Sequence, residues 1–160
     1  SAVRSTNPMS QQASAQRILP DLQAAIICED VRQEATGNFI LLGIMAFLRV
    51  PKVPVTAMKL CVFTRWTSGI GQFEEATRLI APDEQTVIRE SKVKFGLQDP
   101  SHNSSNLSVF AQVEFKEPGI YYVEVCVDDV MKMRFPLPVI VAPPAEQDPG
   151  QAPAPEAPAA

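Results

Sequence analysis

Hydrophobic and polar side chains alternate along the stretch GIYYVEVCVDDVMKMRFPLPVIV, which occupies residues 119–141. A period of two is typical of β-strands that bury one face. The acidic pair Asp128 and Asp129 interrupts the alternation, so the pattern predicts two antiparallel strands joined by a tight turn. A loop formed by 128–130 would place apolar residues opposite each other. The expected pairs are Val127 with Met131, Val125 with Met133 and Val123 with Phe135, and Met131, Met133, Phe135 and Leu137 are expected to face the core.

A turn made of Asp128 and Asp129 alone would oppose Val125 to Lys132 and so place a charge on the buried face, which favours the longer loop. The end of the second strand contains Pro136 and Pro138. Residues two apart in a strand point their amides to the same side, and proline has no amide hydrogen to donate. We therefore expect this part of the strand to have an unpaired side, to form a sheet edge, and to be the first place to look for a partner.

Apolar runs separated by turn residues fill the rest of the chain, and no helical period persists for three turns. The pair 72–81 and 86–95 carries many charges, which predicts an edge hairpin. In the run 107–115, the alternation predicts that Leu107, Val109, Ala111, Val113 and Phe115 point inward, and a turn at 117–119 predicts that this run pairs with the closing hairpin as a meander. About eight short strands favour an all-β, two-sheet antiparallel β-sandwich over a closed barrel. The other runs are 22–30, 38–46 and 55–66.

Composition divides the chain into one domain and two tails. Residues 1–20 lack an apolar period and predict a flexible arm, 21–141 predict the sandwich, and 142–160 form a Pro/Ala-rich tract that cannot build a core. The tract is expected to be a solvated tail; a ligand for a proline-binding module is the alternative.

The formal charge of −4 and the pI near 5.0 argue against nucleic acid as a partner. No run approaches the roughly 20 apolar residues of a membrane helix, and the first residues lack the apolar core of a secretory signal. The expected location is the cytoplasm. Cys28, Cys61 and Cys126 lie inside apolar runs without a CxxC pair, which indicates buried, reduced thiols.

No arrangement of catalytic residues is evident. His102 is the single histidine, and the serines beside it lie along the same loop, where a nucleophile and a base have no defined geometry. The glycines form no phosphate-binding loop, and neither His102 nor the cysteines have the spacing of zinc ligands. We therefore expect a protein that is not an enzyme and has no cofactor.

Acidic loop residues are the candidate metal ligands. If successive loops of a sandwich alternate between its ends, Asp30, Asp99, Asp128 and Asp129 meet at one end, where calcium-binding sandwiches place carboxylates. The D-x-D spacing of a shaped calcium loop is absent, and aspartate is also an ordinary turn residue.

Aromatic residues predict an interaction surface. Phe63, Phe110 and Tyr122 fall on the faces opposite the apolar rows of their strands, where together with Cys126 they form either an exposed patch or a second buried layer. Trp66 ends a core row and is expected to fill the core. Together with the edge prolines, the candidate surface residues are Phe63, Phe110, Tyr122, Pro136 and Pro138.

The motifs AIICEDVRQEATGNFILLGI, KLCVFTRW and EPGIYYVEVCVDD resemble a family of uncharacterised bacterial proteins, a domain of unknown function, over about 22–141. The resemblance implies a small β-sandwich of the immunoglobulin-like or calcium-lipid-domain type. It implies no activity, substrate or catalytic residue.

The expected function is a non-enzymatic module for protein binding or assembly, with a protein partner or a second copy bound through an edge strand or an exposed sheet face. The alternative is a sandwich that binds calcium, lipid or carbohydrate at the loop end with Asp30, Asp99, Asp128 and Asp129.

Overall fold

The computed structural model describes residues 16–143, and this part of the chain contains nine β-strands and no helix. The predicted two-sheet β-sandwich is confirmed, with one strand more than expected. The strands are β1 Asp21–Gln33, β2 Phe39–Ile44, β3 Leu48–Val50, β4 Val55–Thr67, β5 Gly71–Ile80, β6 Val87–Leu97, β7 Asn103–Phe115, β8 Gly119–Val127 and β9 Val130–Val141.

The strands form a four-stranded sheet in the order β2-β1-β4-β7 and a five-stranded sheet in the order β3-β9-β8-β5-β6. Neighbouring strands are antiparallel except β3 and β9, which are parallel. The chain therefore crosses between the sheets after β2, β4, β6 and β7, and also between β3 and β4. The core lies between the two sheets.

The closing hairpin has a shorter turn than predicted, because Val127 pairs with Val130. Asp128 and Asp129 both have positive φ, 45° and 64°, which is the backbone of a type I′ turn. A bulge follows, since Cys126 pairs with Met131 while Val125 pairs with Met133. The predicted three-residue loop and the pair of Val127 with Met131 are thus wrong. The bulge restores the other two predicted pairs, Val125 with Met133 and Val123 with Phe135.

Leu137 is buried and Phe135 packs against the core, as predicted, whereas Met131 is 57% exposed and Met133 is also exposed. The bulge explains Met131, because it pairs this residue with Cys126 on the outer face. Met133 lies on a part of β9 that, within residues 16–143, has no strand on the side away from β8.

The unpaired side at Pro136 and Pro138 is confirmed for the described residues, because both prolines pair only with β8. The very end of the strand is not an edge. Residues 139–141 pair with β3, a strand that the sequence pattern did not predict.

The predicted meander of β7 and β8 is wrong, because β7 pairs with β4 in the four-stranded sheet and β8 pairs with β5 and β9 in the other. Phe115 and Tyr121 do meet, but as rings packed edge to face across the sandwich, with centroids 5.0 Å apart. The Tyr121 hydroxyl donates to the Glu117 carbonyl at 2.8 Å. This tyrosine corner holds the crossover between the sheets.

The inward row of β7 is also partly different from the prediction. Val113 and Phe115 are buried as expected, but Leu107 and Val109 are exposed, Ala111 also points outward, and the buried positions are Asn106, Ser108 and Phe110. Gln112 has a φ of 52°, so the alternation restarts at this residue. One backbone irregularity thus places two halves of one strand in opposite phase.

The charged pair β5 and β6 forms the predicted edge hairpin, because β6 ends the five-stranded sheet and β5 lies between β6 and β8. Ion pairs on the outer face join this hairpin to β8. The Arg78 guanidinium contacts the carboxylates of Glu90 at 2.6 Å and Glu124 at 3.3 Å.

Part of the predicted N-terminal arm is described. Ile18 forms an isolated bridge with Ile70, and the Arg17 guanidinium lies 4.9 Å from the ring centre of Phe73. The arm before residue 16 and the predicted tail from residue 144 onward lie outside the described residues.

Candidate functional site

The acidic candidates do not form one cluster. β1 continues through Asp30 to Gln33 and the chain reverses at 34–38, so Asp30 is not in a loop at the end that holds 67–71, 97–103 and 127–130. The prediction that Asp30 meets the other aspartates is therefore wrong. Its carboxylate contacts the Lys59 ammonium at 2.7 Å, and this hydrogen bond lowers the pKa of Asp30.

Asp99, Asp128 and Asp129 do lie at the predicted end, but two of their carboxylates have protein partners. Asp99 accepts from the Ser101 hydroxyl, which lowers the pKa of Asp99, and Asp128 accepts from the Glu74 amide and the Arg17 guanidinium. Over residues 16–143, no three side chains of the types that bind metals come together as a possible ion site.

The aromatic candidates are divided between three environments. Phe110 is buried in the core between the sheets, so the prediction that it lies on the face opposite the core row is wrong. Tyr122 is half-buried on the outer face of the five-stranded sheet, opposite Pro136, with Arg134 4.7 Å from its ring centre. Pro138 lies further along β9, opposite Ile120. Phe63 points away from the core as predicted, yet it is buried.

Phe39 contacts Phe63, with ring centroids 5.3 Å apart. In the strand ladders Phe39 pairs with Gln33, whereas Phe63 pairs with Ile26. These two positions of β1 are seven residues apart, which corresponds to about 23 Å along a straight strand. The contact therefore requires the end of the β1–β2 hairpin to bend back over the outer face of its own sheet. We call residues 30–42 the folded-over hairpin.

A glycine allows this bend. Gly43 has a φ of +66°, a left-handed conformation that favours glycine, and a Cβ there would lie 2.6 Å from the Glu29 carboxyl group. The ladder pairs Cys28 with Ile44 and Asp30 with Leu42, and the bend falls between these two pairs. The ion pair of Asp30 with Lys59 holds the base of the bend to β4.

Two cysteines lie under the bend. Cys28 and Cys61 pair directly across β1 and β4, and both are fully buried and reduced. The Cys28 thiol donates to the Asp30 carbonyl at 3.5 Å and the Cys61 thiol donates to the Glu29 carbonyl at 3.7 Å. Burial raises the pKa of both thiols. The prediction of buried, reduced cysteines is confirmed, and Cys126 is likewise buried and free.

The exposed side chains of β2 are apolar, whereas β1 places Asp30 and Arg32 opposite Leu42 and Ile40. Ile40 is 42% exposed, Leu42 is 38% exposed and Ile44, just beyond the bend, is 63% exposed. They lie on β2, the end strand of the four-stranded sheet. The sequence FILLGI of β2 contains no charged residue. Sequence reasoning missed this surface, although an uncharged run in a terminal hairpin was the available signal.

A polar layer divides the core. Glu75 is fully buried, and its carboxyl group accepts from the Asn106 amide at 2.8 Å and from the Thr77 hydroxyl at 3.4 Å. The Thr64 hydroxyl donates to the Asn106 carbonyl at 3.5 Å. Trp66 fills the core as predicted, and its indole nitrogen has no hydrogen-bond partner among the described residues. This buried layer lies between two apolar clusters.

A cleft of about 330 Å³ opens at the end of the sandwich that holds the β5–β6 and β7–β8 turns. Ile88 and Tyr121 contribute apolar surface, and Glu114, Lys116 and Glu117 contribute charges. The residues that line the cleft include no histidine to act as a base for a nucleophile. His102 lies elsewhere, in the loop before β7. The cleft therefore offers no hydrolase triad.

No helix in the part of the chain that the structure describes is long and apolar enough to cross a membrane. No curated protein matches the sequence. Residues 23–140, which run from β1 to β9, match the model of a family of unknown function (DUF6941), so the resemblance to an uncharacterised family is confirmed and the chain belongs to this family.

Proposed function

We propose that this protein is a non-enzymatic assembly module whose binding element is strand β2, and that β2 pairs with the β2 strand of a second copy. The observation that carries the proposal is the uncharged, apolar and exposed edge formed by Phe39–Ile44. An unpaired strand edge exposes backbone donors and acceptors that accept another strand. We place the module in the cytoplasm because its three cysteines are free thiols.

The exposed edges of the three long strands β6, β7 and β9 are poor acceptors. β6 carries Arg89, Glu90, Lys92 and Lys94 within one strand. On β7, the Arg89 guanidinium donates to the Ala111 carbonyl at 2.7 Å and so occupies an acceptor of that edge. The unpaired side of β9 contains two prolines, which lack the amide that a ladder needs. The proposed partner edge is therefore β2 and not the stretch that contains Pro136 and Pro138.

The sequence of β2 is complementary to itself. Antiparallel pairing about a twofold axis at Leu41 opposes Ile40 of one copy to Leu42 of the other, so both outward pairs are apolar. Only the straight part before Gly43 takes part. Such a short ladder buries less surface than a stable dimer interface, so the expected dissociation constant is about 10 to 100 µM.

The strand order of the five-stranded sheet also supports a binding role. The order β9-β8-β5-β6 is similar to the G-F-C-C′ order of variable-type immunoglobulin sheets. The alternative of calcium, lipid or carbohydrate binding has no support from the described aspartates, since Asp30 lies apart from Asp99, Asp128 and Asp129.

Sedimentation equilibrium between about 1 and 200 µM protein tests the proposal. We expect the mass of the wild type to rise from monomer to dimer, and Leu42→Lys to remain a monomer, because a charge would lie on the paired strand. Val87→Lys is the matched control, since Val87 is 46% exposed on β6, an edge strand of the other sheet, and this variant should dimerise like the wild type.

A wild type that stays monomeric over this range would overturn the proposal. Dimerisation that Leu42→Lys leaves unchanged while Val87→Lys abolishes it would place the interface on β6 instead. Circular dichroism of each variant establishes that the fold is retained.

A further inference from the structure

We propose that Cys28 and Cys61 form a redox-sensitive clasp that holds the folded-over hairpin in place, so that a disulfide between them releases the hairpin and changes the presentation of β2. The inference rests on the proposed function in assigning a consequence to β2. The clasp itself is a property of the single chain.

The two thiols are placed for bond formation. They belong to residues directly opposite each other on neighbouring antiparallel strands. Opposed residues have Cβ atoms about 4.5 to 5.5 Å apart, and a disulfide needs about 3.5 to 4.5 Å. A relative strand movement of about 1 Å therefore suffices to close the bond.

The same two thiols hold the bend. Each donates its hydrogen to a carbonyl at the base of the folded-over hairpin, Cys28 to Asp30 and Cys61 to Glu29. The two thiols, on neighbouring strands, thus donate to the carbonyls of the two consecutive residues at which β1 bends. A disulfide has no hydrogen to donate, so both carbonyl contacts are lost at once when the bond forms.

The oxidant we assign is a low-molecular-weight disulfide such as oxidised glutathione. One cysteine thiolate attacks a sulfur of this disulfide, the S–S bond breaks, and the first glutathione thiolate leaves. The second cysteine attacks the mixed disulfide, the Cys28–Cys61 bond forms, and the second glutathione leaves. The two protons of the cysteine thiols end on the two glutathione molecules, and the protein has lost two electrons.

Access to the thiols depends on the hairpin. Both sulfur-bearing residues are fully buried, so the oxidant reaches them only while the folded-over hairpin is lifted. The raised pKa of both thiols keeps them protonated and slow to react in the closed state. Oxidation therefore captures the open hairpin, and reduction returns it to the closed position.

The test uses the full chain with Cys126→Ser, which leaves only the pair. After incubation with oxidised glutathione, intact mass and peptide mapping should show a Cys28–Cys61 disulfide and the loss of two hydrogen atoms. Hydrogen exchange of the β2 amides should then be faster, on the order of fivefold, which corresponds to loss of about 1 kcal/mol from two weak hydrogen bonds.

Two double variants separate the clasp from general destabilisation. Cys28→Ser/Cys61→Ser keeps a hydroxyl donor at each position and should retain slow exchange in β2 with or without oxidant. Cys28→Ala/Cys61→Ala removes both donors without a disulfide and should show the fast exchange of the oxidised chain. Amides of β8, in the other sheet, serve as the internal reference.

Failure to form the intramolecular disulfide, or a disulfide that leaves β2 exchange unchanged, would overturn the clasp. Both readouts are made on the monomer at low concentration, so they stand whether or not the chain dimerises. A wild type that never dimerises but shows the disulfide and the faster exchange would instead refute the proposed function and leave the clasp intact.

Discussion

Strands β2 and β6 are both sheet edges, but β6 exposes charged side chains and β2 exposes apolar ones. β6 carries charged side chains that are paired on the outer face, with Glu90 on Arg78 at 2.6 Å and Lys92 near Glu74 at 3.9 Å. β2 carries no charge and exposes isoleucine and leucine. Charged edges resist pairing with other chains, and bare apolar edges invite it. This difference supports the proposal that β2, and not β6, pairs with a second copy.

Each of these two edge strands also contains a glycine, but only the glycine of β2 has a positive φ. Gly43 of β2 has a φ of +66° at the bend, whereas a Cβ on Gly96 of β6 would meet only the amide end of the Gln72 side chain. A flexible side chain can move aside, but a left-handed backbone cannot be relieved by its neighbours. The β2 edge is therefore defined by backbone geometry, and the β6 edge by side-chain charge.

The largest effect should come from charges at the proposed twofold axis. Ile40→Lys/Leu42→Lys opposes like charges in both outward pairs and should weaken dimerisation at least about 100-fold. Ile40→Lys/Leu42→Glu opposes lysine to glutamate and should recover about tenfold or more of that loss. Sedimentation equilibrium measures both. Equal weakening by the two variants would contradict the register centred on Leu41.

The next effect is on the bend. Gly43→Ala places an alanine at positive φ and displaces the Glu29 side chain, so it should lower the free energy of unfolding by about 1 to 2 kcal/mol and speed amide exchange in β2. Gly96→Ala is the matched substitution on the other edge and should change the free energy of unfolding by less than about 0.5 kcal/mol. Urea denaturation compares the two. Similar costs at both positions would show that the bend does not depend on Gly43.

A smaller effect should follow from removing the charges of β6. Lys92→Ile/Lys94→Ile makes this edge resemble β2, so the variant should self-associate through β6. The association constant for this contact should be about tenfold higher than in the wild type. Light scattering at a fixed protein concentration, in the Leu42→Lys background, isolates the new contact. An unchanged monomer in this background would mean that charge is not what protects β6.

The smallest effect is on pH dependence. The hydrogen bond from Arg78 lowers the pKa of Glu90 below its ordinary value of 4.5. A carboxyl group with a depressed folded-state pKa contributes stability above its unfolded value, and this contribution is lost as pH falls through the lower folded value. Because Glu90 is solvent-exposed, we expect about 0.5 kcal/mol. Melting temperatures between pH 6 and about 3 should fall less for Glu90→Gln than for the wild type. Glu34→Gln, in the turn before β2, is the control, and equal slopes for both variants would contradict the assignment.

Alternation by itself determined the strands, the sandwich and part of the closing hairpin. Val125 opposes Met133 and Val123 opposes Phe135 as the pattern predicts, because an inward row must match an inward row. The unpaired side at Pro136 also followed from sequence, since a missing amide is a property of the residue. Of the candidate surface, Tyr122 and the prolines lie outward, whereas Phe110 lies in the core.

Only the tertiary structure decided the features that depend on single backbone torsions. The bulge after Met131 and the positive φ of Gln112 each exchange the side chains that face inward for those that face outward. The alternation of apolar and polar residues in the sequence does not show where such an exchange occurs. The crossover after Phe115 has the pattern of a hairpin because both of its strands bury one face. The bend at Gly43 brings Phe39 onto Phe63 and leaves β2 exposed, and this long-range contact has no counterpart in local sequence.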